Sequence, residues 1–242
     1  PIFDVNSPDA SISSLGQLSS VDKCIITDHI RDIIVFFEPY IRNDGTYMGS
    51  TTTLAQHLLS IHKVYSAQYV LETDDGNTNT NSTSTKRCVV DVSVVQAATE
   101  CLVVETIFQM LLQIPTYKPL SLHRIVLELC RLAPSAIPRL VASACVVLYQ
   151  LAPAMDTSSW KSVSAWLSYH LVNFKLSWPY WEYWASEFNT VDDSIYTNEQ
   201  QKLLIGPQHD VSKAFIMDVV DKTSRLSFPT AMKAALPLSL HL

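Results

Sequence analysis

The stretch from Leu122 to Ala133, Leu-His-Arg-Ile-Val-Leu-Glu-Leu-Cys-Arg-Leu-Ala, decides the fold class of this chain. Its apolar residues recur every three or four positions, namely Leu122, Ile125, Val126, Leu129, Leu132 and Ala133. That spacing places them on one face of an α-helix. Because one helix cannot cover its own apolar face, the pattern predicts neighbouring helices packed against it.

Similar periodicities extend outward from this helix in both directions, with prolines near the boundaries. In Asp22–Phe37, for example, one helical face is predicted to carry Ile25, Ile26, Ile30, Ile33, Ile34 and Phe37. They predict helices over Asp22–Phe37, Thr51–Val70, Asp91–Gln113, Lys118–Ala133, Ser135–Leu151, Thr157–Phe174, Trp178–Phe188 and Val211–Ser227, with a shorter one around Met232. Alternating strand patterns are nearly absent, although Cys88 to Val95 is ambiguous. Pro115 and Pro153 bracket two helices over about 38 residues, close to the period of stacked antiparallel helix pairs. The fold class predicted is all-α, as an α-solenoid of such pairs.

Composition also predicts the domain organisation. Residues 1–20 are rich in Ser, Asp and Pro and lack a period, so we expect an irregular N-terminal segment there. The polar tract from Thr73 to Lys86 has no aromatic or large aliphatic residue, so burial cannot offset its ordering entropy. The expectation is one helical repeat domain over 21–242, with a disordered insertion at 73–87.

Charge and cysteine usage narrow the function classes. The net charge of −6 makes the chain a poor ligand for polyphosphates, and only 5 glycines disfavour a Gly-rich nucleotide loop. The 5 cysteines are odd in number and mostly lie in apolar runs, which indicates a reducing compartment. No signal peptide is evident, and the chain begins at Pro1 as an excised segment would. The apolar run Leu140 to Met155 is too short to cross a bilayer, so no membrane association is expected.

No local motif supplies catalytic chemistry. His57 and His62 are five residues apart and point to different helix faces, so chance spacing explains them better than a metal site. Asp74 and Asp75 lie in the polar tract, where nothing would hold two carboxylates in a catalytic geometry. His170 shares a face with apolar residues and is interpreted as a neutral, hydrogen-bonded core histidine. We therefore predict no enzyme activity, no catalytic or metal-binding residue and no cofactor.

All five tryptophans lie between Trp160 and Phe188. Three interpretations are open: core packing, which is favoured, a surface for a protein partner, and a platform for stacking bases or a methylated cap. Stacking is least favoured because only Lys161 and Lys175 are available for phosphates. The candidate partner-binding residues are Trp178, Tyr180, Trp181 and Trp184.

One segment carries a specific resemblance. Ser168-Tyr-His-Leu-Val-Asn-Phe-Lys-Leu-Ser-Trp178, continuing to Trp181-Glu-Tyr-Trp184, resembles a run in the second helical repeat domain of nuclear cap-binding large subunits. The helix pair around Leu127–Leu132 and Pro134–Leu151 is similar to that family, as are Pro1-Ile-Phe-Asp4 and Arg225-Leu-Ser-Phe228.

The resemblance implies a domain of the type first described in the middle of initiation factor four-gamma, a right-handed solenoid. It implies a non-catalytic scaffold whose partner is a small RRM subunit, with capped RNA bound indirectly through that subunit in a heterodimer. Ordering of the partner would raise its apparent affinity for the cap. A nuclear location follows, with shuttling to the cytoplasm left open.

Two alternatives remain. The first is another helical-repeat adaptor, acting in translation or mRNA decay. The second is a helical enzyme whose site is assembled from distant residues, which predicts an enclosed pocket with converging polar groups and perturbed titrating residues.

Overall fold

The structure is a computed structural model of the 242-residue chain. It describes residues 2–4, 9–37, 40–41, 47–48, 50–70, 91–114, 118–189 and 199–240. The polar tract predicted to be disordered at 73–87 lies outside the described residues.

The described residues are mainly helical. The α-helices are α1 (Ala10–Ser13), α2 (Ser20–Phe36), α3 (Thr51–Val70), α4 (Val92–Leu112), α5 (Pro119–Leu132), α6 (Ile137–Leu151), α7 (Thr157–Asn173), α8 (Trp181–Asn189), α9 (Glu199–Leu226) and α10 (Pro229–Ala235). Short 3-10 turns span Ser14–Gln17, Ala152–Ala154 and Leu238–Leu240. Two strands of two residues each, β1 (Tyr40–Ile41) and β2 (Tyr47–Met48), pair antiparallel. The prediction of an all-α fold is confirmed, and every predicted helix has a counterpart.

The chain divides into two compact units. The first comprises Pro1–Phe108 and Arg124–Ala144, and the second comprises Gln109–His123 and Cys145–Leu242. The single domain predicted over 21–242 stays a prediction.

The first unit contains most of α4, which is buried on nearly all sides. Its two threonines bond to the helix itself: the Thr99 hydroxyl donates to the Val95 carbonyl at 2.7 Å, and the Thr106 hydroxyl donates to the Leu102 carbonyl at 2.6 Å. Such back-bonding lets threonine occupy an apolar environment without an unpaired hydroxyl. A helix buried all round explains why α4 reads as a nearly continuous apolar run.

The irregular segment predicted at 1–20 is wrong over residues 10–17, where α1 and a 3-10 turn form. The Asp9 carboxylate caps α1 by accepting the Ser11 backbone N–H at 2.8 Å. Arg139 donates to the Ser11 hydroxyl at 2.7 Å, and the Cys101 thiol donates to the Ser11 carbonyl at 3.1 Å. The buried residues of this segment are Ile12, Leu15 and Leu18. These long-range contacts fold a short segment that lacks a period of its own.

The second unit is built around α7 and α9, which pack together. Asp156 caps α7 by accepting the backbone N–H groups of Ser158 and Ser159 at 2.9 and 3.0 Å. The apolar residues buried on the two helices are Val163, Trp166, Leu167, Leu171, Phe215, Ile216, Val219 and Val220. This core supports the aromatic segment that follows α7.

Two predicted core positions differ from the structure. The deciding stripe of α5 is buried at Leu122, Ile125, Val126 and Leu129, but Leu132 at its C-terminal end is 38% exposed. Ile25 of α2 is 52% exposed, while Ile26, Ile30 and Ile34 are buried. In both helices the apolar stripe predicted from spacing is wider than the face that neighbours cover.

Within the described ranges, two helical stretches, Val92–Leu112 and Ile137–Ala154, are long and apolar enough to cross a bilayer by length and composition. The most apolar 18 residues of the first stretch are 78% buried inside the protein, and those of the second are 44% buried. The core helix of a globular protein has the same length and composition. The absence of membrane association stays a prediction.

Candidate protein-interaction site

The aromatic segment begins at a tight turn after α7. Lys175 and Leu176 both have positive φ, 55° and 61°, in the left-handed region that residues with a side chain rarely adopt. The Leu176 backbone N–H donates to the Leu171 carbonyl at 2.8 Å, which satisfies an acceptor at the end of α7. The Trp181 indole N–H donates to the Leu176 carbonyl at 3.0 Å. A ring of the next helix therefore holds the strained turn in place.

Trp184 lies at the centre of the aromatic cluster and is 1% exposed. Its ring centroid is 5.3 Å from Tyr149, 5.5 Å from Trp178 and 5.6 Å from Trp181. The Phe215 ring of α9 lies 6.1 Å away, edge-on. These separations and tilted geometries are typical of packed aromatic rings.

The structure thus separates the four candidate partner-binding residues. Trp178, Trp181 and Trp184 are buried, as core packing requires. Tyr180 is half-buried with its ring 5.4 Å from Trp178. Tyr183, which the sequence analysis did not single out, is 44% exposed on α8. Tyr180 and Tyr183 are therefore the tyrosines of this segment that solvent reaches, and Trp178 packs against the Tyr180 ring.

A second aromatic group surrounds two histidines of the same unit. Trp166 is buried, as predicted, and its ring stacks on His170 at 4.9 Å. His170 also lies 4.6 Å from Phe174. His123, which the sequence analysis missed, lies 5.3 Å from Tyr169. No motif signals this meeting, because it depends on how α5 and α7 pack.

Burial keeps both imidazoles neutral at pH 7. Desolvation lowers the pKa of His123 to about 4, and desolvation with the nearby His123 lowers that of His170 to about 4. The interpretation of His170 as a neutral core histidine agrees with this. The hydrogen bond expected for His170 is missing at Nδ1, which has no partner among the described residues. Neither ring nitrogen of His123 has a partner there.

A polar cluster joins α7 to α9. The Ser164 hydroxyl donates to the Asp218 carboxylate, which also accepts from the Lys222 ammonium. Lys222 donates to the Ser164 hydroxyl oxygen at 2.9 Å. Because the Ser164 side chain is fully buried, the cluster ties two helices together and offers no accessible nucleophile.

Two clefts are found among the described residues. One of about 330 Å³ lies between α9 and α10 and is mostly aliphatic, with Lys233 at its edge. The other, of about 430 Å³, is lined by Ile2, Phe3, Asp4, Leu15, Lys23, Leu102 and Glu105. The histidines with lowered pKa line neither cleft. No group of three or more metal-ligating side chains occurs within the described part of the chain.

A family model described as MIF4G like matches residues 18–238. The chain belongs to the MIF4G-like family. The match includes α2 to α10 and therefore both compact units. The helical-repeat class predicted from the spacing is confirmed by this membership, while the right-handedness of the solenoid stays a prediction.

Two curated proteins are similar to this MIF4G-like chain. The nuclear cap-binding protein subunit 1 of Aedes aegypti is 34% identical over 140 residues, which are 57% of this chain and 15% of that protein. The protein of the same name from Anopheles gambiae is 32% identical over 140 residues, with the same coverage. The aligned part is a small fraction of the length of either relative. The predicted resemblance to nuclear cap-binding large subunits is confirmed.

Proposed function

We propose that this MIF4G-like chain is a non-catalytic scaffold domain of the large subunit of a nuclear cap-binding complex. In this role it binds and orders a small RRM subunit, which itself recognises the methylguanosine cap of RNA. The observation that carries the proposal is the similarity, over 57% of the chain, to proteins named nuclear cap-binding protein subunit 1. The complex is a heterodimer, and its location is nuclear.

The physical character of the chain supports a scaffold over a cap reader. A net charge of −6 opposes direct binding of RNA phosphates. Stacking of a methylated guanine needs an accessible aromatic face. Trp178, Trp181 and Trp184 have no such face, because all three are buried. Trp178 and Trp181 pack on Trp184, which itself packs on Phe215 of α9. The cap therefore binds to the partner.

The exposed edge of α8 is the surface proposed for the small subunit. Tyr180 and Tyr183 present amphipathic rings that contribute large contact areas at protein interfaces. The buried tryptophans of the same segment are fixed by packing on Trp184 and by the Trp181 hydrogen bond to Leu176. Because the platform is rigid, little conformational entropy is lost when a partner docks on it.

The test is co-purification of the chain with a cap-binding small subunit, followed by retention on an immobilised 7-methylguanosine cap. We expect the wild-type chain and the small subunit to be retained together. The Tyr180→Ala and Tyr183→Ala variants are each expected to be retained less than the wild-type chain. Leu120→Ser, which changes an exposed apolar residue of α5, is the matched control and is expected to retain binding. Capture of this chain by the cap resin without the small subunit would contradict the proposal, and so would failure of the wild-type pair to associate.

A further inference from the structure

The outward face of α2 carries exposed apolar side chains at both ends. Val21 is 65% exposed, and Ile25 and Val35 are each 52% exposed. Phe36, which follows Val35, is 81% exposed. The opposite face of the same helix is the one that packs into the first unit, through Ile26, Ile30 and Ile34. The apolar residues on the outward face are therefore not needed to hold α2 in the fold.

The spacing of this outward face is that of a helix-docking seam. The exposed residues Val21, Ile25, Asp28, Asp32 and Val35, here called the α2 seam, follow one another at intervals of four, three, four and three residues. This alternation keeps side chains aligned along one line of a helix, as where a second helix packs lengthwise against it. A strand or an irregular peptide would not match that line over the full length of α2.

The centre of the seam is negatively charged. Asp28 and Asp32 are both exposed, and Asp28 forms a solvent-exposed contact of 3.4 Å with Arg31. Such exposed pairs contribute little, so the guanidinium does not remove the negative character of the seam. Val21 and Ile25 lie at one side of these carboxylates, and Val35 lies at the other.

This charge pattern decides between the occupants. In a second copy of the chain, either orientation of paired α2 helices would place carboxylates opposite carboxylates, which disfavours association. RNA and anionic membranes are repelled for the same reason. A helix with apolar residues at its ends and Lys or Arg at its centre is complementary at all five seam positions.

We propose that the α2 seam binds a cationic amphipathic helix of a partner protein. The apolar ends supply contact area, and the two central carboxylates pair with the partner's basic residues and fix its register. This surface is separate in sequence from Tyr180 and Tyr183, and the proposal does not depend on the cap-binding role.

The test uses two designed helical peptides of about 20 residues added to the isotopically labelled full chain. The cationic probe has Leu at the positions that face Val21, Ile25 and Val35, and Arg at the two positions that face Asp28 and Asp32. The Glu probe is identical except that Glu replaces both Arg residues. We expect the cationic probe to shift the amide resonances of α2 and to bind at least about ten-fold more tightly than the Glu probe, with weaker binding at high salt. Equal affinities for both probes, or shifts confined to other helices, would overturn the proposal.

Matched variants test the two parts of the seam. Asp32→Lys is expected to reduce binding of the cationic probe about ten-fold and to improve that of the Glu probe. Glu182→Lys makes the same charge change on the exposed face of α8 and is expected to leave both affinities unchanged. Ile25→Ser is expected to weaken both probes, because each uses the apolar ends. Unchanged binding in Asp32→Lys, or an equal loss in Glu182→Lys, would show that the seam charge does not select the ligand.

Discussion

At the scale of single residues, Trp166 is the clearest test of the core. Its side chain is 1% exposed and stacks on His170. Trp166→Ala empties a large buried volume, so we expect the free energy of unfolding to fall by about 3 to 5 kcal/mol in urea titrations. The half-buried Trp160 is the matched control, and Trp160→Ala is expected to cost less. An equal cost at the two positions would contradict the assigned burial.

The two neutral histidines make stability depend on pH. Both have a pKa of about 4 in the folded chain, whereas the ordinary histidine pKa, which applies to the unfolded chain, is near 6.5. Between pH 4 and pH 6.5 the unfolded chain therefore binds more protons than the folded chain. Their contribution to stability is complete above pH 6.5 and is lost as the pH falls towards 4. We expect His123→Leu to reduce the loss of unfolding free energy between pH 7 and pH 5 by about 2 kcal/mol. A pH profile of His123→Leu identical to that of the wild-type chain would contradict the assignment.

These residues also show what the sequence could reveal at this scale. Trp166 was predictable because it lies on a regular apolar face of α7. His123 was not, because it adjoins the apolar stripe of α5 and its aromatic neighbours come from another helix. Spacing identified the cluster Trp178, Trp181 and Trp184, yet spacing alone cannot tell a buried aromatic face from an exposed one. Only the packing against Tyr149 and Phe215 settles that.

At the scale of elements, the turn between α7 and α8 holds two consecutive left-handed residues. Lys175 is exposed, so its side chain gains nothing from burial that would offset a φ of 55°. Glycine adopts this conformation without steric cost, and we expect Lys175→Gly to raise the free energy of unfolding by about 1 kcal/mol in urea titrations. Lys175→Ala retains the Cβ and is the control. A gain of the same size in Lys175→Ala would show that strain is not the cause.

Helix existence was predictable over most of the described chain, while the start of α9 and the short helical segment at 10–17 were not. The predicted start of α9 at Val211 is wrong, because the helix begins at Glu199 and continues through Gly206 and Pro207. Proline removes one backbone hydrogen bond, a cost that tertiary packing can override. The helical segment 10–17 was not predicted because it has no apolar period of its own. Contacts with Cys101 and Arg139, which are remote in sequence, hold it in place.

At the scale of the whole molecule, the charge balance bears directly on RNA. The 23 acidic residues exceed the 17 basic ones, so the chain lacks the excess of positive charge that drives non-specific binding to nucleic acid. The tryptophan cluster of Trp178, Trp181 and Trp184, which could otherwise stack a base, is buried in the second unit. Both features support the proposal that a partner recognises the RNA and that this chain acts as a scaffold.

The corresponding prediction concerns the chain without any partner. We expect no binding of a labelled 5′-capped oligonucleotide by fluorescence anisotropy at about 10 µM protein, where ordinary non-specific binders already associate. The capped and uncapped oligonucleotides should behave alike, because neither the phosphates nor the methylated base meets a complementary surface. The same titration with the small subunit present is the positive control. A cap-dependent signal from the chain alone would contradict the proposal that the cap binds to the partner, and Tyr180→Ala and Tyr183→Ala would then test whether these accessible rings bind it.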